Sequence, residues 1–242
     1  MFATFQEALR EAENEAKGAS LVMALAAFFA PDAIPEELFT QPAECYPPAL
    51  AELAGIPGGL DDAIGALAHL SLVDFHKETP SFSAHRLVLA AARDALGEEA
   101  PVWSASALSS VHAAFPEPEF KTWPLCERLV PHVRAVAAHV TDDSGELVWL
   151  LVTMGDYLRE RAAISEVLPL YARARAMYER LALADPGNAG WQRDLSVSHD
   201  RIGDVQSAQG DLSEALTTAI DSAAVQGCLP MRLRCVCWAY PK

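Results

Sequence analysis

The sequence predicts a mainly α-helical protein that carries one small β-hairpin. Three observations lead to this fold class. Alanine is abundant and aromatic residues make up only 8% of the chain, which favours closely packed helices over sheets. Apolar residues recur at spacings of three and four along most of the chain, as on the buried face of a helix. One stretch, residues 72–84, instead consists of two short extended pieces around a polar tip.

Three helices are predicted before the hairpin. The first covers residues 2–17, has its apolar residues on one stripe, and is ended by a glycine. The second covers residues 20–29, is almost wholly apolar, and stops before a proline. The third covers residues 60–70 and begins with two aspartates, which suit a helix N-terminus. The second helix should therefore be buried, and the other two should each bury one face.

The hairpin joins residues 72–75 to residues 81–84 through a polar tip that contains Pro80. Residues 85–96 follow, and their apolar positions at spacings of three and four predict a helix. A hairpin packed beside helices, with a helix leading into it, is the pattern of a winged-helix domain. We assign residues 1–98 to this domain.

His85 lies where the second extended piece ends and the next helix begins. Free N–H groups and the positive end of the helix dipole meet there, which favours an anion nearby. Residues 27–35 and 82–88 resemble the winged-helix domain of NB-ARC-type signal-transduction ATPases, in which a Met-His-Asp motif opens this helix. The histidine and the following Leu-Val match, whereas Ala84 and Arg86 replace the other two motif residues. The resemblance implies that His85 contacts the β-phosphate of ADP. The other interpretation is a helix-capping or partly buried histidine without a ligand.

The charge of the chain argues against binding to nucleic acid or to an anionic membrane surface. The formal net charge is -15 at pH 7, whereas neutralising phosphates requires clustered Lys and Arg. In a DNA-reading winged helix, residues 60–70 would be the recognition helix. That helix carries Asp61 and Asp62 and no Lys or Arg, so it would repel phosphates. A winged-helix DNA-binding regulator is therefore a disfavoured alternative.

The cysteines and the apolar segments predict a cytoplasmic protein. The 5 cysteines are irregularly spaced and do not form two matching zinc-ligand pairs, so we expect reduced thiols. The apolar run over residues 21–30 is too short to span a bilayer. It also lacks the preceding basic segment and the cleavage site of a signal peptide.

A second domain is predicted for residues 99–226, after a short polar segment that contains glycine and proline. Its first two helices cover residues 102–114 and residues 123–140, and an internal proline predicts a kink in the latter. His132 and His139 lie seven apart on one face of that helix. Two helical turns separate them, so we expect partly solvated surface groups rather than ligands of one metal.

Two glycines of this domain, Gly155 and Gly203, each occupy the small-residue position of a repeated helical hairpin. In tetratricopeptide repeats, a Gly or Ala at this position lets two antiparallel helices approach each other. Tyr171 and Ala174 lie on the helix that follows Gly155, and Ala215 lies on the helix that follows Gly203. We assign these five residues to repeat packing.

The helix after Gly155 is predicted to begin at Ser165, a good N-cap, and to end at residue 184. The following residues 185–204 strongly resemble bacterial tetratricopeptide-repeat proteins. Residues 123–224 as a whole are similar to the repeat arrays that follow a winged helix in bacterial NB-ARC-type (STAND) ATPases. This resemblance implies a fragment of such a signalling protein without its ATPase core.

Residues 227–242 break the repeat pattern and are predicted to form an atypical, disordered tail. Cys228, Cys235 and Cys237 stand beside two arginines, and no helical stripe continues the repeat. This composition suggests a truncated or frame-altered end. Zinc binding by the three cysteines is the less favoured alternative.

The sequence contains no catalytic motif. It has no Gly-x-x-x-x-Gly-Lys-Ser/Thr to cradle ATP phosphates and no Gly-x-Ser-x-Gly elbow. We therefore expect a non-enzymatic interaction or regulatory module without cofactor or metal, which binds a protein or peptide through its repeat helices. Self-association is a further expectation. The alternative is a domain that senses the ADP state of a separate ATPase core, in which case ADP would bind only to the joined domains.

Overall fold

The computed structural model describes residues 2–76, 78–141 and 143–225. The chain divides into two compact units, Met1–Asp142 and Asp143–Lys242. Helices predominate in the described part of both units, and the first unit contains a small antiparallel sheet. The predicted fold class, mainly α-helical with a small β-hairpin, is confirmed.

The first unit contains most of the secondary-structure elements. Its helices and strands are, in chain order, α1 (Phe2–Glu15), α2 (Ala19–Ala26), β1 (Ile34–Pro35), α3 (Pro48–Gly55), α4 (Gly59–His69), β2 (Asp74–His76), β3 (Ser81–Ser83), α5 (Arg86–Leu96), α6 (Ala100–Ala114) and α7 (Trp123–His139). Short 3-10 helices lie at Glu36–Phe39, Ala43–Cys45 and Gly97–Glu99. The second unit contains α8 (Gly145–Glu160), α9 (Ile164–Ala184), α10 (Ala189–Gln209) and α11 (Leu212–Val225).

The sheet of the first unit has the strand order β1-β3-β2, and all pairs are antiparallel. Strands β2 and β3 form the predicted hairpin, and Phe82 of β3 lies opposite both Ile34 and Phe75. Strand β1 is only 2 residues long, so it leaves no alternating pattern in the sequence. From α2 to β3 the elements follow the order helix, strand, helix, helix, strand, strand, as expected of a winged helix.

The core of the first unit surrounds α2, in which residues 22–26 are all buried. Beyond α2, the ring of Phe29 meets Phe39 edge-on with 6.0 Å between centroids. Phe39 in turn packs against Phe82 of the sheet with 5.7 Å between centroids. The sheet and the helices therefore share one apolar core.

Glu13 of α1 caps the start of α2. Its carboxylate accepts hydrogen bonds from the backbone N–H of Gly18 at 2.9 Å and of Ser20 at 2.8 Å. Gly18 has a φ of 93°, which is a left-handed conformation that favours glycine at the turn between the helices. Burial raises the pKa of Glu13, but these hydrogen bonds outweigh it and the pKa lies below its ordinary value.

Helix α6 packs within the first unit, although the sequence placed it in the second domain. The hydroxyl of Ser106 donates to the carbonyl of Cys45 at 2.8 Å, and the hydroxyl of Ser110 donates to the carbonyl of Leu38. These bonds satisfy carbonyls of the segment between β1 and α3. The division between the units therefore lies later in the chain than the predicted boundary at residue 98.

In the second unit each helix packs against the next one along the chain. Residues at similar distances from a connecting loop lie against each other. Gly155 of α8 contacts Tyr171 of α9, and Gln206 of α10 is hydrogen-bonded to Thr218 of α11. Neighbouring helices are therefore antiparallel, and the unit is a chain of consecutive helical hairpins.

The starts of α9 and α10 differ in how they are capped. Ala163 occupies the N-cap position of α9, so the prediction of Ser165 as the N-cap is wrong. Ala162, directly before this N-cap, adopts a φ of 58°. At the start of α10, the side-chain oxygen of Asn188 accepts the N–H of Gly190 at 3.0 Å.

Two findings bear on the remaining predictions. The predicted tail, residues 227–242, lies outside the described residues. Within the described residues, every helix is too short or too polar to cross a lipid bilayer.

Candidate interaction surface

His85 lies at the N-cap position of α5, where the sequence predicted a helix start. Its side chain is exposed, and Nδ1 accepts the backbone N–H of Leu87 at 3.2 Å. This bond satisfies one of the free N–H groups of the first helical turn. The contact is that of a capping histidine, and it leaves Nε2 as the ring nitrogen that could meet a ligand.

Gly155 and Tyr171 lie directly against each other between α8 and α9. A Cβ atom added to Gly155 would lie 2.4 Å from Cε1 of the Tyr171 ring, closer than real atoms approach. Tyr171 is 1% exposed and Ala174 on the same helix is fully buried. The two helices therefore approach closely because residue 155 lacks a side chain.

Gly203 and Ala215 lie in the corresponding positions of α10 and α11, but their contact is looser. A Cβ atom added to Gly203 would lie 3.8 Å from the carbonyl oxygen of Ala215, which is an ordinary contact distance. Ala215 is 9% exposed. The second pair therefore meets without requiring a glycine.

One carboxylate joins α8, α9 and α10 beside the Gly155 contact. The hydroxyl of Tyr171 donates to Oδ1 of Asp156 at 2.5 Å, and the guanidinium of Arg201 donates to Oδ2 at 3.1 Å. Arg159 lies 3.8 Å from Oδ1. We call these four residues the Asp156 junction.

The Asp156 junction is only partly shielded from water. The side chains of Asp156 and Arg201 are 21% and 32% exposed, and that of Arg159 is 44% exposed. Burial, followed by the hydrogen bond to Asp156, raises the pKa of the Tyr171 hydroxyl, which therefore stays protonated as a donor. Two guanidinium groups share one carboxylate here, so the junction offers a half-exposed cationic face for hydrogen bonding.

An aromatic pair extends this region toward the start of α10. The rings of Tyr178 and Trp191 pack with 6.3 Å between centroids. Burial, followed by the charge of Asp194, raises the pKa of the Tyr178 hydroxyl. Amphipathic aromatic side chains next to arginines are typical of surfaces that bind other proteins.

Asp156 and Arg201 were missed by the sequence analysis. The two residues lie 45 positions apart, and neither stands in a motif that would signal a pairing. The one available signal is position, since Asp156 directly follows Gly155 and so lies beside the closest contact of the two helices.

The prediction that His132 and His139 are partly solvated is wrong for His132. His132 is 1% exposed, and its ring meets Phe29 edge-on with 5.9 Å between centroids. Burial lowers its pKa to about 4, and Nδ1 has no hydrogen-bond partner among the residues that the structure describes. Leu129 and Val136 on the same helix are also buried, and this apolar stripe was the missed signal. His139 is exposed and packs edge-on against Phe28.

The arrangement of titratable residues does not indicate a metal centre. Over residues 2–76, 78–141 and 143–225, His, Cys, Asp and Glu side chains form no group of three or more that could hold a metal ion. His85 lies in the first unit, and the five repeat-packing residues lie in the second. The residues predicted from the sequence are therefore divided between the two units.

The comparison with protein families matches part of the first unit. Residues 10–100 match the model of a family described as a domain of unknown function, DUF7779. The matched segment runs from α1 to the start of α6, so it includes the sheet and His85. No curated protein and no solved structure matches the chain.

Proposed function

We propose that this protein is a non-enzymatic interaction module that binds a protein or peptide partner through the helical hairpins of its second unit. The observation that carries this proposal is the Asp156 junction, a partly exposed cluster of charged and aromatic hydrogen-bonding groups where three helices meet. Helical hairpins that contact only their neighbours present extended surfaces of this kind. Tetratricopeptide repeats are the repeat class that the sequence most resembles.

The chemistry of the junction defines the partner. Arg201 already donates to Asp156, and Arg159 lies at a longer distance from the same carboxylate. Guanidinium groups retain several donors beyond one such contact. An acidic side chain or a C-terminal carboxylate of a partner is therefore the group that this surface fits best.

We propose that this chain represents the winged helix and the repeat array of an NB-ARC-type (STAND) signalling ATPase. We further propose that the protein acts in the cytoplasm. The support is the residue pattern around His85 and residues 185–204, together with the helix and strand order of the first unit. Self-association of the repeat helices is part of the same proposal. In this setting the chain contributes contacts rather than catalysis.

A peptide-display selection with the full chain as bait tests the interaction proposal. Enriched peptides should be acidic and should bind the Arg201→Ala variant at least ~10-fold more weakly, which corresponds to about 1.4 kcal/mol. Arg193→Ala is the matched control, since Arg193 is exposed on the same helix and pairs only with the neighbouring Asp194 among the described contacts. Binding that is indifferent to Arg201, or no enrichment at all, would remove the junction from the function.

The exposed ring of His85 favours a second candidate, a domain that senses the ADP state of a separate ATPase core. Calorimetry of ADP with this chain alone should show no heat of binding, because the chain has no phosphate-binding loop. Measurable binding that the His85→Ala variant abolishes would instead establish a nucleotide site at the start of α5. Circular dichroism should first check that the His85→Ala and Arg201→Ala variants retain the helix content of the parent chain.

A further inference from the structure

His132 lies where α7 contacts the segment that joins α2 to β1. Its side chain is 1% exposed, and its ring packs edge-on against Phe29 of that segment. The ring is also hydrogen-bonded to the backbone of Ala33. Its other nitrogen, Nδ1, is buried and has no partner within the described part of the chain. A ring in this position is tolerated while it is neutral, because an unpaired buried charge is strongly unfavourable.

The elements that contact this part of α7 carry few charged or histidine side chains. Helix α6 carries His112, the segment between α2 and β1 carries the exposed Asp32, and the following 3-10 helix carries Glu36 and Glu37. Glu37 is already paired with a guanidinium of α7, that of Arg128, at 2.5 Å. The positive charge of this arginine acts on the ring of His132 and opposes its protonation.

Pro131 directly precedes His132 and lies inside α7. A proline within a helix removes one backbone hydrogen bond and weakens the helix at that turn. The half of α7 before Pro131 is tied to the 3-10 helix by the ion pair of Arg128 with Glu37. The half after it, residues 132–139, is held by buried side chains, among them that of His132. The helix therefore has a weak point between two halves that are held by different contacts.

We propose that His132 is an acid-sensitive latch for the C-terminal half of α7, residues 132–139, which moves away from the core about Pro131 when the ring is protonated. Release brings the new charge into water. It also exposes the side chains of Val133 and Val136, each of which is 1% exposed in the closed arrangement. Acidification thereby opens an apolar surface on the last helix of the first unit. This inference concerns the first unit and does not depend on the partner site at the Asp156 junction.

The size of the effect follows from the pKa of the ring in the closed and released arrangements. Burial lowers the pKa of His132 to about 4 when α7 is closed, compared with 6.5 for an ordinary histidine. Because the released half binds the proton more tightly, release becomes more favourable as the pH falls below 6.5. Between about pH 7.5 and about pH 5, the population of the released state should rise roughly 30-fold.

Hydrogen exchange of the full chain tests the proposal, with rates corrected for the intrinsic effect of pH on exchange. Protection of residues 133–139 should fall roughly 30-fold between about pH 7.5 and about pH 5, whereas protection of residues 126–130 should change little. His132→Gln keeps a polar group near Ala33 but does not titrate, so it should remove the pH dependence. His132→Phe is a second variant without a titrating ring. A pH dependence that persists in both variants would overturn the proposal, as would equal loss of protection in the two halves of α7.

His139→Gln is the matched control, because His139 is the other histidine of the same half. Its ring packs edge-on against Phe28 with 5.7 Å between centroids. Burial, followed by the charge of Arg93, lowers its pKa as well, but the residue is exposed. The control should therefore retain most of the pH dependence. Loss of the pH dependence in His139→Gln, with retention in His132→Gln, would overturn the assignment of the latch to His132.

Alkylation of a buried thiol gives an independent readout. Val136→Cys places a thiol in the C-terminal half of α7, and the buried Cys126 serves as the internal reference in the other half. The ratio of the two alkylation rates at each pH largely removes the effect of pH on the thiols themselves. This ratio should rise roughly 10-fold or more between about pH 7.5 and about pH 5, and adding His132→Gln should hold it constant. A constant ratio with His132 present would overturn the proposal. Circular dichroism of each variant checks that the helices are retained.

Discussion

The first helical hairpin of the second unit, α8 and α9, and the last one, α10 and α11, have the same backbone arrangement but different interfaces. Between α8 and α9 the contact is apolar and close, with the ring of Tyr171 packed on the backbone of Gly155. Met154 of α8 and Val167 of α9 are fully buried. Burial of this apolar surface stabilises the hairpin without requiring exact donor and acceptor positions.

Between α10 and α11 the described contacts include several side-chain hydrogen bonds. The hydroxyls of Ser196 and Ser222 lie 3.1 Å apart, and the hydroxyl of Thr218 donates to Oε1 of Gln206 at 2.8 Å. Each such bond replaces bonds to water, so its net contribution is only about 0.5–1.5 kcal/mol. Leu216 and Ile220 of α11, which could strengthen the interface, are exposed instead.

The comparison indicates that one hairpin geometry can be maintained by different combinations of apolar contacts and hydrogen bonds. We expect α10 and α11 to open more readily than α8 and α9, because local stability follows the amount of buried apolar contact. Hydrogen exchange resolves the two hairpins separately and is the measurement used for the predictions below, from the largest expected effect to the smallest.

Tyr171→Ala should have the largest effect on the first hairpin. It removes a fully buried aromatic ring and a hydrogen bond to Asp156, and large-to-small changes of this kind cost about 3–5 kcal/mol. Hydrogen exchange should show lost protection throughout α8 and α9. Thr218→Ala in the second hairpin is the control, with an expected cost of about 0.5–1.5 kcal/mol. Equal losses from the two changes would contradict the difference between the interfaces.

Gly155→Ala should destabilise the first hairpin by about 1–3 kcal/mol because the added Cβ overlaps the Tyr171 ring. The ring cannot simply move aside, since its hydroxyl is bonded to Asp156. The better helix propensity of alanine offsets only about 1 kcal/mol of this cost. Unfolding in urea and exchange in α8 and α9 measure the effect. A neutral or stabilising result would show that the hairpin can relax around the new methyl group.

The sequence was sufficient to predict the features that depend on local pattern. Helical periodicity located α2, α4, α5 and α6 closely, and the polar tip around Pro80 located the hairpin of β2 and β3. It was also sufficient to place His85 at the start of α5. These features depend on residues a few positions apart, so the information lies within short windows.

The features that the sequence left out depend on contacts between distant residues. The pairing of Asp156 with Arg201 and the bonds from the serines of α6 join positions far apart in the chain. Helix α3 was not predicted because it has only 8 residues and directly follows a proline-containing segment. The burial of His132 follows from its position on the apolar stripe of α7 with Leu129 and Val136, and its polar ring alone does not indicate that burial.

Acidification should weaken the second hairpin selectively. His199 of α10 is 5% exposed, and burial, followed by the charge of Arg175, lowers its pKa below the ordinary 6.5. The acidic groups Asp200, Asp221 and Glu179 oppose this shift but do not cancel it. Because the folded pKa is the lower one, the unfolded hairpin binds more protons below pH 6.5, so stability present at neutral pH is lost as the pH falls.

Residues 145–184, which form the first hairpin, contain no histidine. Exchange compared at about pH 7.5 and about pH 5, both above the carboxylate range, should therefore show a larger loss of protection in α10 and α11 than in α8 and α9. His199→Gln serves as the control and should remove the pH dependence. The same loss in both hairpins would point to a source other than His199.

Gly203→Ala should have the smallest effect and the opposite sign to Gly155→Ala. The added Cβ would lie 3.8 Å from the carbonyl of Ala215 and 4.0 Å from Cγ2 of Thr218, which are ordinary contact distances. Alanine restricts the unfolded chain and favours the helix, so the variant should be more stable by about 0.5–1 kcal/mol. Urea unfolding of the Gly155→Ala and Gly203→Ala variants measures the change in the free energy of unfolding, and its sign, for each. If Gly203→Ala were as destabilising as Gly155→Ala, the two hairpins would share one packing requirement, and their different interfaces would reflect side-chain composition alone.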